Sequence, residues 1–143
     1  MMRIRPATSA DRSATTELWA ECGLTRPWND ADLDFDRAIR GPASTVLVAC
    51  NDEDAVHGSV MVGADGHRGW IYYLGVSVEM RGTGLGRALM GAAEEWLRQA
   101  GMPKVELMVR ADNVAAHDFY DALDYESSDV VVRQKWLSAA EAD

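Results

Sequence analysis

Val76-Ser77-Val78-Glu79-Met80-Arg81-Gly82-Thr83-Gly84-Leu85-Gly86-Arg87-Ala88-Leu89-Met90 is the stretch on which the reading of this chain turns: an apolar strand runs into a glycine-rich turn that immediately opens a helix. The first N–H groups of a helix have no intrahelical partner, and the helix dipole adds partial positive charge there, so phosphate oxygens are favoured ligands. Gly82, Gly84 and Gly86 remove the Cβ atoms that would hold a ligand off the backbone, and they permit positive φ. Arg81 and Arg87 flank the turn with formal charge. The stretch reads as an anion cradle, against the plainer alternative of a glycine-rich turn with no ligand.

Spacing separates the phosphate-binding classes. A dinucleotide fingerprint needs glycines at i, i+2 and i+5; counting from Gly82 puts Arg87 at the last place, and counting from Gly84 puts Leu89 there. A P-loop run of Gly-x-x-x-x-Gly-Lys before Ser or Thr is absent from the sequence. Arg81-x-x-Gly84-x-Gly86 does fit one pattern: it resembles the Q/R-x-x-G-x-G/A pyrophosphate loop of the GCN5-related N-acetyltransferases, the GNAT family.

The 143 residues suit one domain with a real core, and 48% hydrophobic with 26% charged residues is ordinary for a globular chain. A net charge of −9 argues against a nucleic-acid surface, which needs positive patches. It suits a small anionic cofactor held at one arginine-flanked loop. Neither a signal segment nor a membrane-length apolar run is found, so a cytoplasmic address with no membrane partner is expected. Cys22 and Cys50 lack ligand spacing and read as reduced core residues, and no metal is expected.

In chain order, residues 2–5 suggest a short strand stopped by Pro6, and Thr8-Ser9-Ala10-Asp11 offers a capping box for a helix ending near Gly23. Asn29 or Asp30 can cap a second helix through Arg40, closed by Gly41-Pro42. Its alternating Asp30, Asp32, Asp34 and Asp36 fail as a calcium loop, because Phe35 takes the place of the sharp-turn glycine and Gly41 that of the final Glu. They read as a solvated acidic face, or as an acidic lip for a cationic amine. Residues 44–50, 55–62 and 70–78 form an antiparallel meander that delivers the chain to the cradle. After it, Leu85, Leu89, Ala92 and Trp96, with Ala88 alongside, should pack a helix on the sheet until Gly101. Residues 104–109 then form a strand parallel to the one ending at Val78, residues 114–123 a short helix, and residues 130–137 a last strand.

This order matches the GNAT order over essentially the whole chain, as a single domain of residues 1–143. A second motif agrees: Asn113-Val114-Ala115-Ala116-His117-Asp118-Phe119-Tyr120-Asp121-Ala122-Leu123-Asp124-Tyr125 resembles the family's N-x-x-A-x-x-F-Y-x-x-L-G-F segment, departing at Asp124 and Tyr125. The segment from Leu24 to Asn29 and the run from Trp70 to Gly86 look like the YpeA-like bacterial subgroup. The resemblance implies an α/β (α+β) fold with a mixed, mostly antiparallel sheet, a splayed parallel strand pair and flanking helices. It also implies acetyl-CoA as cosubstrate, bound at the splay. Backbone groups of Val76 and Val78 would meet the pantetheine, and N–H groups from Gly82, Thr83 and Gly84 to Leu85 and Gly86 would hold the pyrophosphate. Arg81 and Arg87 flank that site, and Asn113 would contact CoA.

Acyl transfer needs an amine lone pair, oxyanion stabilisation and a proton for the departing thiolate. By resemblance Tyr120 is the general acid, and a phenol with a pKa of about 10 keeps its proton at neutral pH. A packing pair of Phe119 and Tyr120 is the plainer alternative. Many family members place a Glu on the central strand as base; here His67, Arg68, Tyr72 and Tyr73 stand near that place. Water relayed by Tyr73 or another strand side chain is the expected route, with His67 behind it. The function implied is N-acetyl transfer to a primary amine of a small molecule or protein. The alternative is an acyl-CoA-binding or sensing module. The apolar residues 130–132 and Trp136 suit either a homodimer or a monomer core.

Overall fold

The computed structural model describes residues 1–138, in two compact units, one of Met1–Leu107 and one that begins at Met108. The first contains β1 (Arg3–Pro6), α1 (Arg12–Glu21), α2 (Ala31–Arg40), β2 (Ser44–Cys50), β3 (Val56–Ala64), β4 (Gly69–Val76), α3 (Leu85–Gln99) and β5 (Val105–Leu107). The sheet order is β1-β2-β3-β4-β5; the first four strands are antiparallel neighbours, and β5 runs parallel to β4. The α3 crossover makes that parallel pair, because a helix must carry the chain back along the sheet before a strand can run the same way.

Helices cover both faces of the sheet. Against α1 and α2 lies a core of Trp19, Phe35, Ala38, Val46, Val48 and Cys50. Trp19 is fully buried; its indole N–H donates to Ser59 Oγ at 2.8 Å, and its ring stacks on Tyr73 with centroids 3.9 Å apart. Trp19→Ala should therefore lose about 3–5 kcal/mol of stability, the range for emptying a large aromatic site, read as a lower midpoint in urea unfolding. Across the sheet, α3 buries Leu85, Leu89, Met90, Ala93 and Leu97. This stripe is rotated from the expected one: Ala92 and Trp96 are only half-buried, and Ala88 is exposed. Close packing fixes the rotation, since a Cβ on Gly69 would lie 2.5 Å from Leu97 Cδ1.

At the start of the chain, Asp11 accepts from both guanidinium nitrogens of Arg5, at 2.8 and 3.0 Å, and from the Thr8 backbone N–H at 2.8 Å. The Arg5 bonds hold the Asp11 carboxyl below the usual carboxylate range. A depressed native pKa stabilises the fold above the unfolded value of about 3.9, and that contribution is lost as pH falls through the native value. Asp11→Asn should cost about 1–2 kcal/mol at pH 7. Urea melts well below pH 4 should show the variant and the parent converging.

Three boundaries depart from expectation. Strand β4 ends at Val76, and Val78–Met80 form a short 3-10 turn before the glycines, so Val78 is exposed and outside the strand. The β5 ladder is three residues long. Residues 130–137 form no strand; Val130, Val131 and Val132 are exposed and join no ladder among the described residues. Valine's strand preference reflects fit to a pleated, half-buried surface, and without a paired edge the run has no such surface.

Candidate active site

The glycine loop enters α3 through two left-handed residues, Gly82 at φ 77° and Gly84 at φ 88°. Gly84 is the N-cap of α3 and offers no side chain to its first-turn N–H groups. The contrast with the neighbouring helices is informative: Asp30 caps α2 by accepting from Leu33 N–H, and Asn113 caps the helix that follows it by accepting from Ala116 N–H. At α3 the donors that a cap would satisfy are left to a ligand or to solvent. Nothing lies within 4 Å of where a Cβ on Gly82 or Gly84 would stand, so an anion can approach the backbone directly. The Thr83 hydroxyl donates to the Met80 carbonyl and closes the turn beneath the loop.

Upstream, β4 pairs with β5 only from Gly69 to Ile71, opposite Val105 to Leu107. Its residues beyond Ile71 have no β5 partner, which is the splay expected of the parallel pair. The Val76 carbonyl accepts from Arg81 Nε at 3.3 Å and lies 3.5 Å from Cys22 Sγ. Arg81 therefore folds back onto the strand end. Ser77, largely buried, sits 3.2 Å from His57 Nδ1, whose Nε2 meets Asn51 at 3.4 Å.

Between the pairs Met61–Tyr72 and Ser59–Gly75, β4 sets two residues, Tyr73 and Leu74, against Val60 alone. This is a β-bulge, and Tyr73 adopts φ 54° within it. Such a conformation is costly for an aromatic residue and persists where its surroundings hold it. The stack on Trp19 and a 2.7 Å hydrogen bond donated by the Tyr73 hydroxyl to Asp34 Oδ2 supply that hold. Burial, and then the Asp34 carboxylate, push the Tyr73 hydroxyl pKa well above its usual value. The bulge also lets consecutive residues, Tyr72 and Tyr73, line one cavity of about 520 Å³. Leu24 and Met61 give this cavity its apolar wall, and Asn29, Asp34 and Arg37 bring polar groups into it.

Arg37 was outside the sequence-derived site, and Asp34 entered it only as one of the four acids of the possible lip. Their signal lay in the α2 pattern, where each directly precedes a buried residue, Phe35 or Ala38, and so stands at the border of the apolar stripe. Asp36 instead pairs with Arg12 at 3.0 Å on the surface, and Asp30 is spent on the cap. His67 lies in an exposed turn beside Arg68.

In the second unit, α4 spans Val114–Ala122. Tyr120 stands seven residues after the Asn113 cap, two turns along on the same face. It is half-buried, packed edge-to-face with Phe119 and Tyr125 at centroid distances of 5.0 and 5.7 Å. Its hydroxyl has no hydrogen-bond partner among the described residues, and burial pushes its pKa above the usual value. It therefore keeps its proton at neutral pH, with the donor unspent.

Residues 9–125 match the model of the acetyltransferase (GNAT) family, across both units. The chain belongs to the GNAT acetyltransferase family. This GNAT chain is 43% identical over 136 residues to an acetyltransferase of Yersinia enterocolitica, covering 95% of itself and 96% of that relative. The same figures hold for an acetyltransferase of Pectobacterium atrosepticum. Among solved structures, AAC(6')-Iy in complex with a bisubstrate analog, CoA-S-monomethyl-acetylneamine, superposes with TM-score 0.81 at 16% identity, over 96% of this chain and 99% of that one. The aminoglycoside 6'-N-acetyltransferase AAC(6')-Ih of Acinetobacter baumannii gives 0.79 at 19%, over 97% and 100%. The mixed, largely antiparallel sheet with its splayed parallel pair is thus the GNAT fold. No helix among the described residues is long and apolar enough to cross a membrane.

Proposed function

We propose that this GNAT acetyltransferase moves the acetyl group of acetyl-CoA to a primary amine, on a small molecule or a protein, by direct attack in a ternary complex. The observation that carries the reading is the uncapped α3 start, with its two left-handed glycines, set after a strand whose edge is unpaired beyond Ile71. N–H groups from Gly82 to Gly86 suit the pyrophosphate, with Arg81 and Arg87 alongside. The strand edge near Val76 suits the pantetheine; Val78, in its 3-10 turn, meets the cofactor from the loop instead of continuing the strand.

In the reaction the amine nitrogen bonds to the acetyl carbonyl carbon, the carbon–sulfur bond breaks, and the thiolate takes a proton. Tyr120 supplies that proton. Its raised pKa keeps it in the donor form. The acceptor's ammonium form, with a pKa of about 10.4, must lose a proton to solvent water before attack, and the second proton that the nitrogen sheds on forming the amide returns through water to the Tyr120 phenolate. Tyr73 contributes through Asp34: its hydroxyl holds the carboxylate that faces the acceptor's charge. Asn113 caps α4 through its Oδ1, and its side-chain NH2 group contacts CoA.

The wider reading is of one functional domain working in the cytoplasm. Two copies would pair through the exposed residues 130–132 and Trp136. Calorimetric titration with acetyl-CoA tests the cradle, and thiol release in the presence of primary amines tests the transfer. Tight binding without thiol release from any amine would replace the enzyme with an acyl-CoA-binding module. No binding by folded protein would overturn both.

A further inference from the structure

A carboxylate and a guanidinium one helical turn apart are within reach of each other and can pair across the turn. Asp34 and Arg37 do not. Asp34 is engaged by the Tyr73 hydroxyl at 2.7 Å, and the Arg37 side chain has no hydrogen bond or ion pair among the described residues. Elsewhere on the same helix Asp36 does find a cation, Arg12 at 3.0 Å. Asp34 and Arg37 both line the cavity of about 520 Å³, a volume within the range of small-molecule sites.

A cavity holding one negative and one positive group is a poor host for a polyamine, whose second ammonium would meet Arg37 with like charge. It is equally poor for a plain alkylamine, which would leave Arg37 unpaired on desolvation. We propose that the acceptor is a small zwitterionic amine, whose ammonium group rests on Asp34 and whose carboxylate rests on Arg37. This deepens the acetyltransfer reading above and rests on it. Guanidinium geometry favours the assignment, because its planar fork donates two parallel hydrogen bonds to a carboxylate. Asn29 adds an amide that can donate or accept at the same wall, and Leu24 and Met61 give the intervening methylenes an apolar surface. The protein's net charge of −9 would attract any cation. A lone arginine turned toward the acceptor cavity acts against that general field, and so serves discrimination among amines.

The test compares aminohexanoate, hexanediamine, hexylamine and aminohexylphosphonate as acceptors, with kcat/KM read from CoA thiol release. The amino carboxylate should exceed the diamine by about tenfold or more, equivalent to about 1.4 kcal/mol. Arg37→Gln, at an exposed position, should collapse that ratio to near unity, and Asp34→Asn should lower kcat/KM for every amine. A phosphonate preferred over the carboxylate would overturn the choice of anion. A diamine preferred by the parent protein, or an unchanged ratio in Arg37→Gln, would overturn the proposal outright. If no amine turns over, equilibrium dialysis of aminohexanoate against the CoA complex of parent and Arg37→Gln gives the answer by binding alone, and equal retention by both overturns it. Calorimetric binding of acetyl-CoA is measured on the same samples. Its absence marks failure of the acetyltransfer reading, whereas its presence with no preference for amino carboxylates marks failure of this one.

Discussion

Gly84→Glu is expected to weaken acetyl-CoA binding by about a hundredfold to ten-thousandfold in a calorimetric titration, while leaving the fold intact. Two or more charge-assisted hydrogen bonds from the loop to the pyrophosphate are at stake, at about 1.5–3 kcal/mol each. The new carboxylate would stand among the same N–H groups and satisfy them in the ligand's place, as Asp and Asn do at ordinary helix starts. Charge is not the whole effect. Gly84 has φ 88°, so any side chain there adds backbone strain of about 1–2 kcal/mol. Gly84→Ala isolates that strain and should cost binding about tenfold or less. Gly66, at φ 93° in an exposed turn and with nothing within 4 Å of an added Cβ, is the matched control. Gly66→Glu carries similar strain and the same charge, and binding should not change. Equal affinity in Gly84→Glu and the parent would leave the loop without the role assigned to it.

Local chemistry and tertiary contact divide the molecule unequally. The bounds of α2 could be read from Asp30 and Gly41, and those of β2 from an apolar run carrying Thr45, Val46 and Val48, because caps and propensities act within a few residues. The glycine loop was legible for the same reason: positive φ is written into Gly82 and Gly84 themselves. Tyr73 is the opposite case. No aromatic residue announces φ 54°, and the bulge exists because Trp19, far away in the sequence, stacks on the ring while Asp34 takes the hydroxyl. Asp34 was visible only as one of four alternating acids; the helix phase set by Phe35 and Ala38 turned that one inward. Residues 130–132 failed the other way, as a strong strand signal with no ladder among the described residues to receive it.

Tyr120→Phe carries the second large effect: kcat should fall by about a hundredfold to ten-thousandfold, the range for losing a positioned general acid, with the Kd for acetyl-CoA little changed. The substitution removes one oxygen and keeps the ring, so the edge-to-face contacts with Phe119 and Tyr125 survive and stability should hold. A packing role alone would therefore leave kcat untouched, which makes this variant decisive between the two readings of the residue. The pH dependence adds a second criterion. Burial raises the Tyr120 pKa, so the donor form persists above pH 10, and the parent's rate should not decline through the ordinary phenol range. A decline centred near pH 10 would point to another group as the acid. An acyl-CoA analogue whose thiolate is already a good leaving group supplies the last criterion. Protonation matters less as the departing thiolate becomes more stable, so the deficit of Tyr120→Phe should shrink with such a donor, whereas a misplaced substrate would lose rate equally with every thioester.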